Sequence, residues 1–440
     1  MRSSLLALLL ALAASGLAAA QAPTVTLPKL GQITGSIVGM QYGSRQIARF
    51  LGIPFANAPL DTLRFRPPQP YTTFNPNLNA LTYQPVCYQD PTVAVYRVGE
   101  DCLFLNVWVP IQNLPPSAGG GGPLPVLVWI HDGAFLSGGA SIPNELFQIA
   151  VTGEELSGAG TGAVVVTFNY RVGVFGWGVF DADSGTTSNL GLLDQQQALI
   201  WIQTNIAQFG GDPKRVTLFG HGSGSISVSL HLLIASSQPL FARAALASGT
   251  AFQGIKGPLL KSVYNITDRR MTTRNIFSAC GCNQENAAEQ LACAQLPTLS
   301  ALNLFACQSA LVSASPAPDD IFLPVLDALL PADPMMLLYT QAMARTKALY
   351  VIRVDFLAPR YCAWVIRYTI LWCVNSYFII TLVGFADSLA RSAMKEPHLS
   401  QTRSSTRPWA LSMHSRRRCL VKRMPTRSAA RSHTSRIQSI

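Results

Sequence analysis

Between about Lys29 and Ala348, short and nearly continuous apolar runs alternate with longer stretches of helical periodicity. Val126–Ile130 and Val164–Phe168 are rich in β-branched residues and lack polar alternation, the pattern of strands covered on both faces. Val216–Phe219 is a third such run. Leu193–Phe209 carries apolar residues at helical spacing and stops at the Gly210-Gly211 break before Asp212-Pro213. Gly220-His221-Gly222-Ser223-Gly224 follows Phe219 directly as a glycine-rich turn, and Ser225–Ile234 is helical again. Strand, turn and helix in repetition predict an α/β architecture around a mostly parallel sheet with flanking helices. The Pro/Gly-rich segment Pro110–Pro125 reads as a surface loop.

The two ends have a different character. Met1-Arg2, the apolar run Leu5–Ala14 and the small residues through Ala20 predict a secretory signal peptide over residues 1–20. The run is too short to span a bilayer, so the expected location is extracellular. Nine cysteines suit an oxidising compartment, although spacing alone leaves their pairing open. Asn265-Ile-Thr267 is an N-glycosylation sequon, which makes Asn265 a candidate glycan site.

A net charge of +11 suggests nucleic acid or an anionic membrane surface as a partner, until its location is considered. Residues 1–352 hold 18 Lys and Arg against 19 Asp and Glu, a balance of −1; residues 353–440 hold 15 against 3, or +12. The basicity belongs to the tail, so no nucleic-acid partner is expected. The chain divides into an α/β domain over 29–352 and an atypical tail over 353–440. That tail is apolar across Ala363–Ala386 and then Ser-, Thr- and Arg-rich from Arg391, a composition expected to lack a packed core. A membrane partner is expected only if 363–386 forms a spanning helix.

Several ordered blocks resemble the type B carboxylesterase and cholinesterase family: Phe50–Ala56 with Leu63–Pro68, Glu100–Val107, Asn169–Gly173, Asn189–Gln195, Asn205–Pro213, and Phe322–Asp327 with Ala332–Pro334. The resemblance covers about residues 31–348 and implies an α/β-hydrolase fold, truncated at its C-terminal end. It implies ancestral carboxylic ester hydrolysis, with an ester as the substrate of active relatives and no cofactor or metal. It also implies disulfides Cys87–Cys102 and Cys282–Cys293, and leaves open an extra bridge between Cys280 and Cys307.

Ester hydrolysis on this fold needs a nucleophile, a base, an acid to orient the base, and donors for the tetrahedral oxyanion. His131-Asp-Gly-Ala-Phe135 resembles the family's oxyanion loop, which makes the N–H groups of Gly133 and Ala134 candidate donors, with that of Ser223 as a third. Asp132 stands where the family carries glycine, a carboxylate beside a developing negative charge. At the elbow, Gly222 occupies the nucleophile position and His221 the position of a family glutamate. Ser223, one residue later, is the weak alternative nucleophile. The acid position falls near Ala358 with Asp355 incidental, and none of the six histidines stands in the context of a base.

The expected protein is therefore a secreted family member that is catalytically inactive or severely impaired. Two alternatives remain at this level: an active serine esterase working through Ser223, and a non-enzymatic adhesion protein. The neuroligins of this family, which also resemble this chain in carrying glycine at the elbow, bind a protein partner in that way. For residues beyond about Ala348, the abrupt end of the resemblance favours a mis-assembled coding sequence.

Overall fold

Ten strands form the main sheet, and the three apolar runs lie at its centre. They are β1 (Ser36–Gly39), β2 (Gln46–Pro54), β3 (Phe104–Pro110), β4 (Leu124–Ile130), β5 (Val164–Phe168), β6 (Gly211–His221), β7 (Arg243–Ala247), β8 (Ala348–Asp355), β9 (Val365–Val374) and β10 (Tyr377–Leu382). The computed structural model describes residues 22–39, 46–91, 97–115, 122–141, 162–251, 270–314, 322–325 and 329, and the backbone alone of 266–269, 348–355, 365–374 and 377–382. The expectations for residues 1–20, Asn265, 332–334, Ala358 and everything from 383 onward fall outside the described residues.

The sheet order is β10-β9-β8-β7-β6-β4-β5-β3-β2-β1. β5, β4, β6, β7 and β8 run parallel, and antiparallel strands extend both sides. All five residues of β5 are buried, as are Val126, Val128, Trp129 and Ile130 of β4. Removing both faces from water is what selects continuous apolar runs over alternating ones. β4 has β5 on one side and β6 on the other, so the chain reverses its direction across the sheet there. In open α/β sheets such a switch point leaves a crevice outside the carboxyl ends of the strands.

Six helices are described: α1 (Gly173–Trp177), α2 (Leu190–Asn205), α3 (Gly222–Leu233), α4 (Ile266–Ala279), α5 (Ala287–Ala294) and α6 (Ala301–Ser313). α2 starts three residues before the expected Leu193 and gives way at Ile206–Phe209 to a 3₁₀ turn that ends on left-handed Gly210. The elbow differs more. β6 runs from Gly211 to His221, well beyond Val216–Phe219, and α3 begins at Gly222 rather than Ser225. No separate turn spans Gly220–Gly224. The reversal takes one residue, because Gly222 has φ of +51°, a conformation that side-chain-bearing residues disfavour.

Over its described residues the apolar stretch 363–386 is strand and not a spanning helix. Its described residues form β9 and β10, which continue the sheet antiparallel from β8. Val, Ile, Thr, Tyr, Phe and Trp dominate both segments, and these side chains fit a pleated surface better than a helix. Among the described residues no helix is long and apolar enough to cross a membrane. β8 also runs straight through the expected boundary at 352.

The matched blocks are halves of contacts between distant parts of the chain. Arg171 Nε and Nη2 donate to Asp194 Oδ2 and Oδ1 at 2.8 and 2.7 Å, which joins Asn169–Gly173 to Asn189–Gln195 through a buried ion pair. The Asn189 amide pairs with both backbone groups of Val325, and Arg64 grips the Glu100 carboxylate at 2.5 and 2.7 Å. Disulfides Cys87–Cys102 and Cys282–Cys293 are present, with Cα separations of 4.9 and 5.7 Å. The bridge left open by the sequence, Cys280–Cys307, is present as well and ties α4 to α6.

Candidate functional site

Three chain segments leave the sheet around the switch point: His131–Ser137 after β4, Asn169–Gly173 after β5, and the start of α3 after β6. The first is held in an unusual shape. Gly133, Ala134 and Phe135 have φ of +127°, +53° and +62°. For Ala134 and Phe135 this costs on the order of 1 kcal/mol each, so the surroundings must impose it. They do so through two anchors. Phe135 is fully buried with its ring 4.3 Å from Trp177, and its carbonyl accepts the Gly173 N–H at 2.7 Å.

His131 roots the loop. Its ring stacks on Tyr170 at 4.0 Å, and its Nδ1–H donates to the Asp132 carbonyl at 2.9 Å. Burial pushes the His131 imidazole down to about 4, outweighing the backbone hydrogen bond and the nearby carboxylate, which favour its charged form. It is a neutral ring at pH 7. The Tyr170 hydroxyl donates to the His131 carbonyl at 2.9 Å, and burial raises the Tyr170 pKa, so the group stays protonated.

Asp132 forms the centre of the arrangement. Its Oδ1 accepts from Gly133 N–H at 2.7 Å, Ser223 N–H at 2.9 Å and the Ser223 hydroxyl at 3.1 Å. Its Oδ2 faces His221 Nδ1 at 2.9 Å. Burial alone would raise this carboxyl. The bonds from His221, Ser223 N–H and Gly133 N–H outweigh it and hold the group well below the usual carboxylate range. Ser223 is the second residue of α3, and the side chain of the N-cap residue, His221, makes no capping bond. A carboxylate from another loop therefore takes the capping position, where an anion also meets the positive end of the helix dipole.

Gly222 lies directly against this carboxylate. A Cβ added there would overlap both Asp132 carboxylate oxygens. Gly224 is equally constrained, because its Cβ would strike the carbonyls of Ile130 and His131 where α3 crosses the end of β4.

The sequence-predicted residues Gly133, Gly222 and Ser223 thus meet at the strand ends, and Ala134 lies in the same loop. Asp132 was expected to sit beside the candidate donors; it accepts directly from two of them, Gly133 and Ser223 N–H. His221 belongs to the cluster through Asp132. His231 does not: it is fully buried in α3, between Ser237 Oγ and Gln195 Oε1 at 2.9 Å each. Asp355 ends β8, and His398, His414 and His433 lie outside the described residues. Among the described residues, no cluster of three His, Cys, Asp or Glu side chains forms a metal site. Two departures from the family pattern, Asp132 and Gly222, turn out to be in contact. Weighing them together, rather than one at a time, is the sequence signal that would have suggested this.

A model of the carboxylesterase family matches residues 21–353. Cholinesterase from Mus musculus is 37% identical over 279 residues, which cover 60% of this chain and 42% of that protein. Acetylcholinesterase from Electrophorus electricus is 37% identical over 284 residues, 62% and 42% of the two chains. Carboxylesterase 1F from Mus musculus is 37% identical over 337 residues, 72% and 56%. The chain spans about half the length of these relatives.

Proposed function

The chain belongs to the carboxylesterase family, and from that premise we propose that it is a secreted member, descended from ester hydrolases, whose site has lost hydrolysis. A single observation carries the reading. At the elbow, where the family mechanism needs an oxygen nucleophile, Gly222 offers no side chain, and the space a side chain would enter holds the Asp132 carboxylate. Without the nucleophile no acyl-enzyme can form. Three disulfides support the extracellular part of the proposal, since such bonds persist in oxidising compartments.

Ser223 does not take over the role. Its hydroxyl is 3.1 Å from a carboxylate held well below its ordinary pKa, which makes that carboxylate a poor acceptor for the serine proton. The ring nitrogen of His221 that enters this cluster faces Asp132 rather than the serine. Purified protein incubated with a short-chain aryl ester is expected to match a denatured control. A fluorophosphonate probe is expected to leave Ser223 unlabelled. Ester turnover above the control, or a phosphonylated Ser223 found by peptide mapping, would overturn the proposal.

A further inference from the structure

We propose that Asp132 is an internal ligand of the family's oxyanion site, so that this site is closed even to small anions that need no nucleophile. The inference rests on the reading above in one respect, the assignment of Gly133 and Ser223 N–H as the site's donors. It goes further in saying what the donors now bind.

The arrangement has the features of a bound anion. Two backbone N–H groups, one from the loop after β4 and one from α3, with a hydroxyl and a ring nitrogen, surround one carboxylate at 2.7–3.1 Å. One of those N–H groups belongs to the first turn of α3, a helix of 12 residues, and such a terminus attracts negative charge. Charge-assisted bonds of this length are the stronger class of hydrogen bond. The carboxylate is also tethered next to its donors. An external anion would have to displace it while losing translational freedom that the internal group lost at folding. The side chain remains 24% exposed, so solvent reaches the site and access is not what closes it.

The strained backbone supports the same conclusion. Gly133, Ala134 and Phe135 keep consecutive positive φ values, a shape with a cost that a simple surface connection does not need. That shape presents Gly133 N–H to Asp132 Oδ1. Removing the carboxylate while leaving the loop in place exposes a preorganised set of donors. The matching ligand class is a small monoanion with a carboxylate or phosphonate head.

The test is a titration of methylphosphonate and of butyrate into wild-type protein, Asp132→Gly and Asp132→Asn, followed by NMR, with butyramide as the neutral control. Asp132→Gly is expected to bind both anions at least about tenfold more tightly than wild type, and butyramide no better. Asp132→Asn keeps an oxygen that can accept both N–H groups, so it is expected to stay closed. This separates filling of the site from loss of a charge. Amide hydrogen exchange on the wild-type protein supplies a reading that needs no variant. Gly133 and Ser223 N–H are expected to exchange slowly, as strand amides do. Wild type binding the anions as tightly as Asp132→Gly, or fast exchange at both amides, would overturn the proposal. Ester turnover without anion binding would count against the loss of hydrolysis and leave the internal ligand standing.

Discussion

The contact between Gly222 and Asp132 predicts a strong coupling between two positions 90 residues apart. The perturbation is Gly222→Ala, which adds one methyl group and no chemistry. A residue with a Cβ at φ +51° costs about 1 kcal/mol relative to glycine. The added carbon also overlaps both Asp132 oxygens, so the carboxylate must leave Gly133 N–H, Ser223 N–H and His221. Each hydrogen bond to a charged group contributes about 1.5–3 kcal/mol. Water replaces part of that at a group 24% exposed, which brings the displacement to about 2–4 kcal/mol in all. Gly222→Ala is then expected to cost about 3–5 kcal/mol in the wild type and only about 1 kcal/mol after Asp132→Gly, where the backbone term alone remains. Equilibrium urea unfolding of the four proteins of the cycle measures both numbers. Equal costs of Gly222→Ala in the two backgrounds would refute the contact and the reasoning built on it. The same clash means that Gly222→Ser alone restores no nucleophile in its proper place, whatever lies downstream.

Acid is expected to destabilise the fold through two buried histidines. Burial holds His231 down to about 3 and His131 to about 4, whereas both titrate near 6.5 in an unfolded chain. The unfolded state therefore takes up protons first as pH falls. The two histidines together withdraw about 2.7 kcal/mol per pH unit between roughly pH 6 and pH 4.5, and a urea midpoint that stays constant from pH 7 to pH 4.5 would contradict this. Breaking the buried pair by Arg171→Met or Asp194→Leu alone is expected to cost about 3–5 kcal/mol, because each change strands a charge. Changing both is expected to cost less than either. Chemical denaturation of the three variants decides it, and a double variant worse than both singles would be the contrary result.

Much of the centre of this protein was legible from local pattern. β5 is buried throughout and β4 nearly so, and that environment admits only the continuous apolar runs that announce them, whereas in the middle of β6 Val216 and Leu218 are buried and Thr217 and Phe219 half-buried. The place of the elbow was readable from Gly220, Gly222 and Gly224, but its form was not, since the reversal takes the single residue Gly222 and not a turn across Gly220–Gly224. Gly222 at the elbow, on which the proposed loss of hydrolysis rests, is read from the identity of one residue. Pairing across the chain was out of reach of the residues alone. Nothing in the spacing of Cys280 and Cys307 selects their bond, since any two cysteines can pair once the fold brings them together. In the same way, Arg171 needs the packing of α2 to meet Asp194.

Asp132 is the clearest case of what tertiary structure alone decided. In sequence it is a carboxylate in a loop, next to the candidate oxyanion donors. In the fold, β4 and β6 are neighbours, so the loop after one strand faces the helix that starts after the other. Gly222 leaves room between them, and the carboxylate fills it on Gly133 and Ser223 N–H. The residue's chemistry was fixed by its identity, but its partner was set by the order of strands. Electrostatic attraction over a few ångströms depends on which distant segments the sheet makes adjacent, and no local pattern in the chain encodes that adjacency.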